Sequence, residues 1–110
     1  MNLISPEGAV KAALSCNTKD LTEVIRFLKA TMKKTWLEER PYCEITIKTN
    51  QVEFVVDGAR KTLLCEANGP ARVSVSFAYF LHLINDRPKI KTKISVGDEF
   101  MIVNDATVCV

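Results

Sequence analysis

The stretch ARVSVSFAYFLHLIND, residues 71–86, changes its apolar period halfway along. Val73 and Val75 alternate with polar residues, which is the two-residue period of a strand. The next apolar residues have the spacing of one helix face: Phe77, Phe80, Leu81 and Ile84. We therefore predict a strand that runs directly into a short helix, and Asn85, Asp86 and Pro88 end that helix.

The residues before this stretch predict one long helix after a short strand. Residues 9–14 alternate weakly and suggest the strand. Asn17 is a suitable helix cap, and apolar residues then recur at helical spacing, at Leu21, Val24, Ile25, Leu28 and Met32. We predict a helix from about Thr18 to Trp36, and Pro41 lies beyond its end.

Short strands separated by turn residues fill most of the remaining sequence. Between the helices we predict CEITIKT (43–49), a turn at Asn50-Gln51, the strand 52–56, a hairpin turn at Asp57-Gly58, and RKTLLCEA (60–67). After the second helix we predict KIKTKISV (89–96), EFMIV (99–103) and ATVCV (106–110). In KIKTKISV, Ile90, Thr92, Ile94 and Val96 share one face.

The predicted element order is (β)αββββαβββ, which places the chain in the α+β class with antiparallel meanders on either side of the second helix. Its 110 residues suffice for one core, so we expect a single domain over residues 1–110. We find no linker and no internal repeat in the sequence.

Composition excludes several classes of protein. The net charge of +2 is too small for a chain that binds polyanions over its whole surface, so any basic site must be local. The apolar runs are too short to span a membrane, and the first residues lack the pattern of a signal peptide. We therefore expect a cytoplasmic protein.

The four cysteines are far apart in the sequence, at Cys16, Cys43, Cys65 and Cys109. Each lies in or beside an apolar segment, so we expect buried, reduced thiols. With a single histidine and no paired ligand spacing, the sequence predicts no metal site and no cofactor.

The order of the elements resembles one repeat of the DNA sliding clamps, the polymerase processivity factors. VKAAL followed by LTEVIRFLKATM resembles the opening strand and first helix of that repeat. ITIKTNQVEFVVDGARKTLLCEA resembles its three-strand meander, ARVSVSFAYFLHLIND the strand leading into its second helix, and KIKTKISVGDEFMIVNDATVCV its closing strands.

This resemblance implies a non-enzymatic scaffold of DNA replication or repair. Clamp repeats form a closed ring with sheets outside and helices lining a hole around duplex DNA. Clamp chains carry two or three repeats, whereas this chain has the length of one. The resemblance therefore implies a fragment, a homo-oligomer (most simply a hexamer), or a fold that has lost the ring.

Basic residues of the first helix are the candidate DNA-binding group. On a helical wheel, Lys19, Arg26, Lys29 and Lys33 fall within roughly 80° of one another. Such a stripe suits nonspecific binding of duplex DNA, because neutralised phosphates release counterions and no base is contacted. The alternative is a helix face that is simply solvated.

The second helix carries the candidate partner-binding group, Tyr79, His82 and Leu83, which we expect outside its core-facing side. These side chains suit contact with a protein better than contact with phosphate, and scattered surface residues without a role are the alternative. Lys89, Lys91 and Lys93 line one face of a strand, and outward lysines of this kind commonly keep a sheet soluble.

Three functions remain open at this point. The first is the clamp-like scaffold, and the second is a protein-interaction domain of the same fold that does not contact nucleic acid. The third is an enzyme centred on His82, but no nucleophile turn, phosphate-binding loop or paired-carboxylate motif accompanies it, so we expect no catalysis.

Overall fold

The computed structural model describes residues 10–30, 41–86, 90–104 and 106–109, and within them it contains helices and antiparallel sheets. The helices are α1 (Thr18–Ala30) and α2 (Phe77–Asp86). The strands are β1 (Ala12–Asn17), β2 (Tyr42–Lys48), β3 (Gln51–Val56), β4 (Ala59–Leu64), β5 (Glu66–Asn68), β6 (Ala71–Ser76), β7 (Lys91–Val96), β8 (Phe100–Val103) and β9 (Ala106–Cys109). The predicted α+β class is confirmed.

The element order differs from the prediction between the helices. The single strand expected over residues 60–67 is two strands, β4 and β5, joined at Cys65. They separate because β4 pairs with β3, whereas β5 pairs with β1 in the other sheet. Cys65 is therefore not on a strand, although Cys43 and Cys109 are, as expected.

Some element ends also differ from the prediction. The opening strand begins later than expected and extends to Asn17, directly before α1. The last part of the predicted first helix, after Ala30, falls outside the described residues, as does Lys89. Ile90 precedes β7 and is 88% exposed, so its predicted place on the inner face is wrong, while Thr92, Ile94 and Val96 are buried there.

The strands form two antiparallel sheets. One has the order β4-β3-β2-β6, and the other has the order β5-β1-β7-β8-β9. The first half of the chain runs from β1 to β4, and the second half runs from β6 to β9. The first strand of each half pairs with a strand of the other half: β1 pairs with β7, which follows α2, and β6 pairs with β2, which follows α1. The two halves of the chain are thereby interlocked.

This pairing reveals an internal repeat of backbone structure that the sequence analysis did not find. The series β1-α1-β2-β3-β4 and the series β6-α2-β7-β8-β9 have the same order and the same partners across the two halves. The first residue of each helix donates its backbone N–H to a carbonyl oxygen in the other half. The acceptor is the residue that directly precedes β7 for α1, and the residue that directly precedes β2 for α2. Thr18 N donates to Ile90 O at 2.9 Å, and Phe77 N donates to Pro41 O at 3.0 Å.

One hydrophobic core joins both sheets and both helices. The predicted core positions are buried at Leu21, Val24, Ile25, Leu28, Phe77, Phe80 and Ile84. Leu81 differs, because it is only half-buried at the edge of the core. Phe80 packs near Phe54, with ring centroids 6.1 Å apart.

The turns between strands confirm the predicted turn chemistry. Asp57 and Gly58 have φ values of 48° and 84°, which suit the two-residue hairpin between β3 and β4. Asn50 and Asn104 also have positive φ, and asparagine tolerates this conformation better than most residues. The turn at Asn50 begins at Thr49, one residue earlier than predicted.

The cysteines are free, as expected, but only two are buried. Cys16 and Cys43 lie in the core, Cys65 is half-buried, and Cys109 is exposed on β9. The expectation of burial is therefore wrong for Cys109, because its side chain lies on the alternate face of β9 from buried Val108. Neither described helix is long and apolar enough to cross a membrane.

Candidate nucleic-acid interface

The groove between the two helices brings together residues that are far apart in the sequence. It has a volume of about 190 Å³. Ile25 of α1 and Leu81 of α2 supply apolar surface, while Arg26, Lys29 and Asn85 supply polar groups around it. Helix spacing explains the α1 side, because residues 22, 25, 26 and 29 lie three or four apart and share one face.

A second depression continues along α1 toward its N-terminus. It has a volume of about 480 Å³ and is lined by Thr18, Lys19, Thr22, Glu23, Arg26 and Ile90. Thr22 and Arg26 line both depressions, so the surface is continuous. We call the exposed cations Lys19, Arg26 and Lys29 the basic helix face.

The cations of the basic helix face are available to an external anion. All three are exposed, and none forms an ion pair with another residue of the described part of the chain. Their positive charges lie within about three turns of the helix, so an anion that binds between them relieves mutual repulsion. Glu23 is exposed beside them and offsets part of this potential.

Thr22 has a narrower chemical role than the cations. Its hydroxyl donates to the Thr18 carbonyl oxygen at 2.8 Å, one turn earlier in α1. The hydroxyl proton is therefore occupied within the helix, and only the oxygen lone pairs face the groove. The donors for a phosphate on this surface are Lys19, Arg26, Lys29 and the Asn85 amide.

Three of the four predicted DNA-binding residues, Lys19, Arg26 and Lys29, are thus on one exposed surface. Lys33 lies outside the described residues. The sequence analysis did not predict Leu81 and Asn85 as neighbours of this surface. Helical spacing places residues on one face of their own helix, but it carries no signal of which second helix lies alongside.

The predicted partner-binding residues lie on another side of α2. Tyr79 is 45% exposed, and its ring stacks on that of exposed His82 at a centroid distance of 6.5 Å. Leu83 is half-buried and packs against the core, so its predicted exposure is wrong.

Tyr79 belongs to a separate depression, which we call the tyrosine groove. It has a volume of about 310 Å³ and is lined by Tyr42, Ser74, Ser76, Tyr79, Val108 and Cys109. Tyr42 is 66% exposed. Sequence analysis did not predict Tyr42 or Cys109 as groove residues. The signal that could have found them is strand alternation, because each is the exposed neighbour of a buried strand residue.

The buried thiols are poorly suited to nucleophilic chemistry. Burial, with smaller contributions from Cys65 and Asp20, raises the pKa of Cys16 from 9.0 to about 12. Burial, with a smaller contribution from Glu44, raises the pKa of Cys43 to about 12. Both thiols therefore stay protonated at neutral pH, and the thiol form is a weak nucleophile.

Two further findings bear on identity. The described residues contain no group of three or more His, Cys, Asp or Glu side chains placed to hold a metal ion. Comparison of the sequence with known protein families and with curated proteins finds no match. The resemblance to a sliding-clamp repeat therefore stays a prediction.

Proposed function

We propose that the chain is a non-enzymatic, clamp-like scaffold of DNA replication or repair, and that its basic helix face contacts the phosphates of duplex DNA. The observation that carries this proposal is the set of exposed cations on α1 beside the groove shared with α2, none of which pairs with a carboxylate within the described residues. The resemblance in element order supports it, since clamp helices face the DNA.

The chemistry of this face favours contact without sequence selectivity. Lysine and arginine on an exposed helix reach phosphate oxygens, which are the same at every base step. Among the described residues, this face of one chain presents three cations and the carboxylate of Glu23, so a single chain binds DNA weakly. Useful affinity requires several copies on the same duplex.

Free strand edges supply a route to such copies. Within the described residues, β4 pairs only with β3, and β9 pairs only with β8. These strands close the two halves of the internal repeat, and an exposed edge of this kind is a template for pairing with another chain. Pairing of β4 in one copy with β9 in the next is a head-to-tail contact, which closes into a ring when the rotation permits.

Charge reversal tests the DNA contact. Arg26→Glu with Lys29→Glu changes the basic helix face, and Lys91→Glu with Lys93→Glu makes the same change in charge on the exposed face of β7. Both pairs are at exposed positions, so the folded state is retained in each variant. Binding to a fluorescent 30-base-pair duplex at low salt is measured by anisotropy for several unrelated sequences.

We expect the helix variant to bind at least ten times more weakly than the wild type on every sequence, and the strand variant to lose less than threefold. Greater loss in the strand variant contradicts the helix-facing arrangement. If the wild type does not bind duplex DNA at low salt, the proposal is wrong.

A protein-interaction domain without nucleic-acid contact is the second candidate. The exposed pair Tyr42 and Tyr79, with His82 stacked on Tyr79, favours it, because aromatic residues are enriched where proteins bind one another. If the wild type shows no binding to duplex DNA in the anisotropy experiment, the result favours this candidate instead.

A further inference from the structure

The edge of β1 is covered by a short strand. In the described structure β5 pairs antiparallel with β1, with Asn68 opposite Ala13, Ala67 opposite Leu14 and Glu66 opposite Ser15. Ala67 is 8% exposed and lies on the side of the sheet that faces the core. The flanking Glu66 and Asn68 point the other way and are exposed.

The internal repeat identifies the equivalent edge in the second half of the chain. β1 ends at Asn17 directly before α1, and β6 ends at Ser76 directly before α2. Asn17 is opposite Lys91, the first residue of β7, and Ser76 is opposite Tyr42, the first residue of β2. By this correspondence, the segment of β1 that β5 covers is equivalent to residues 72–74 of β6.

This equivalent edge is open in the described structure. There β6 pairs with β2 alone, whereas β1 pairs on both sides. The tyrosine groove adjoins the open edge, since Ser74 and Ser76 of β6 line it. In the first half of the chain, the corresponding region holds Cys65, whose thiol is close enough to Cys16 to contribute to that residue's raised pKa.

We propose that the open edge of β6, together with the tyrosine groove, binds an extended segment of a partner protein, which adds to the sheet as an antiparallel strand. Backbone hydrogen bonds supply affinity in this mode of recognition, and alternate side chains supply selectivity. The site is separate from the basic helix face, so it does not depend on the proposed DNA contact.

The geometry also specifies the chemistry of the segment. The central residue of the bound segment lies opposite Val73 and faces the core. Val73 is buried, with only 6% of its surface exposed, so only a small apolar side chain such as alanine fits beside it. The residue opposite Arg72 lies on the outer face of the sheet. The Arg72 side chain is 69% exposed and contacts Glu44 at 2.8 Å, so it has room for a second carboxylate. The segment therefore has the pattern polar, small apolar, acidic.

A peptide based on β5 tests the proposal. The probe is Leu-Ser-Glu-Ala-Asp-Gly-Pro, which is residues 64–70 with serine in place of the cysteine and aspartate in place of the asparagine. The matched control peptide has lysine in place of the alanine. The ¹⁵N-labelled chain of 110 residues is titrated with each peptide up to several millimolar, because short strands bind weakly, and binding is followed by amide chemical shifts.

We expect saturable shifts at the amides of residues 72–74, Tyr79 and Cys109, smaller shifts at residues 13–15, and no saturable shift with the control peptide. Equal binding of both peptides, or an unchanged β6 at millimolar probe, overturns the proposal. Shifts at residues 72–74 that depend on protein concentration without peptide also overturn it, since a second copy then occupies the edge.

A charge-swap variant sharpens the test. Arg72 is exposed, so Arg72→Glu leaves the fold intact. It is expected to weaken binding of the aspartate probe severalfold, and a probe with lysine at the aspartate position is expected to recover that loss. If the variant binds both probes as the wild type does, the acidic preference is wrong.

Discussion

At the scale of single residues, Thr92 shows how a polar side chain is accommodated in this core. It is fully buried on β7, on the same face as buried Ile94 and Val96. Its hydroxyl lies 2.8 Å from that of Thr18, the first residue of α1. Alternation along KIKTKISV predicts that Thr92 faces inward, but the sequence carries no signal of a partner 74 residues away.

Replacing Thr92 by valine keeps the shape and removes one partner of this hydrogen bond. We expect Thr92→Val to lower the free energy of unfolding by about 1 kcal/mol, because the Thr18 hydroxyl loses its partner in a partly buried place. Urea unfolding of Thr92→Val, Thr18→Ala and the double variant checks it. If the two single losses add in the double variant, the hydrogen bond contributes nothing to stability.

At the scale of elements, local sequence patterns predicted the second helix and one of the hairpins correctly. The spacing of apolar residues placed α2 correctly, and Asp57-Gly58 placed the hairpin between β3 and β4. The division of residues 60–67 into β4 and β5 was not predictable, because the segment contains no Gly, Pro, Asn or Asp to indicate a break. The break at Cys65 arises from pairing with different sheets, which is a tertiary constraint.

Truncating Phe80 tests the packing of α2. The side chain is fully buried against Phe54, so we expect Phe80→Ala to lower the free energy of unfolding by about 3–5 kcal/mol through the cavity that remains. Tyr79→Ala, at the neighbouring exposed position, is the control, and its loss is expected to be below about 1 kcal/mol. Chemical unfolding measures both, and similar losses in the two variants contradict the assigned helix face.

At the scale of the whole molecule, the internal repeat was invisible in the sequence. Its two halves share strand order and inward alternation, but the side chains differ, as Leu14 and Cys16 in β1 correspond to Val73 and Val75 in β6. The same limit applies to the candidate site. Spacing along α1 predicted the basic helix face, whereas the groove exists only because the fold places α2 beside α1.

Assembly is the first prediction at this scale. If the free edges of β4 and β9 pair between copies, light scattering on the purified chain gives six times the chain mass of 12.3 kDa. Leu64 on β4 is 76% exposed, and Leu64→Glu is expected to shift the protein toward the monomer. If the protein is a monomer even at high concentration, the proposal of a ring of single domains is wrong, whereas the description of the fold is unaffected.

The salt dependence of DNA binding tests the central claim most directly. With Lys19, Arg26 and Lys29 on phosphates, each chain contributes up to about 2.7 to the magnitude of the log–log salt slope, and Arg26→Gln with Lys29→Gln reduces this contribution to about 0.9. Isothermal binding at several salt concentrations, analysed per bound chain, measures both slopes on the same duplex. A slope that is unchanged in the double variant, or a wild type whose binding does not weaken with salt, contradicts the claim that the basic helix face contacts DNA.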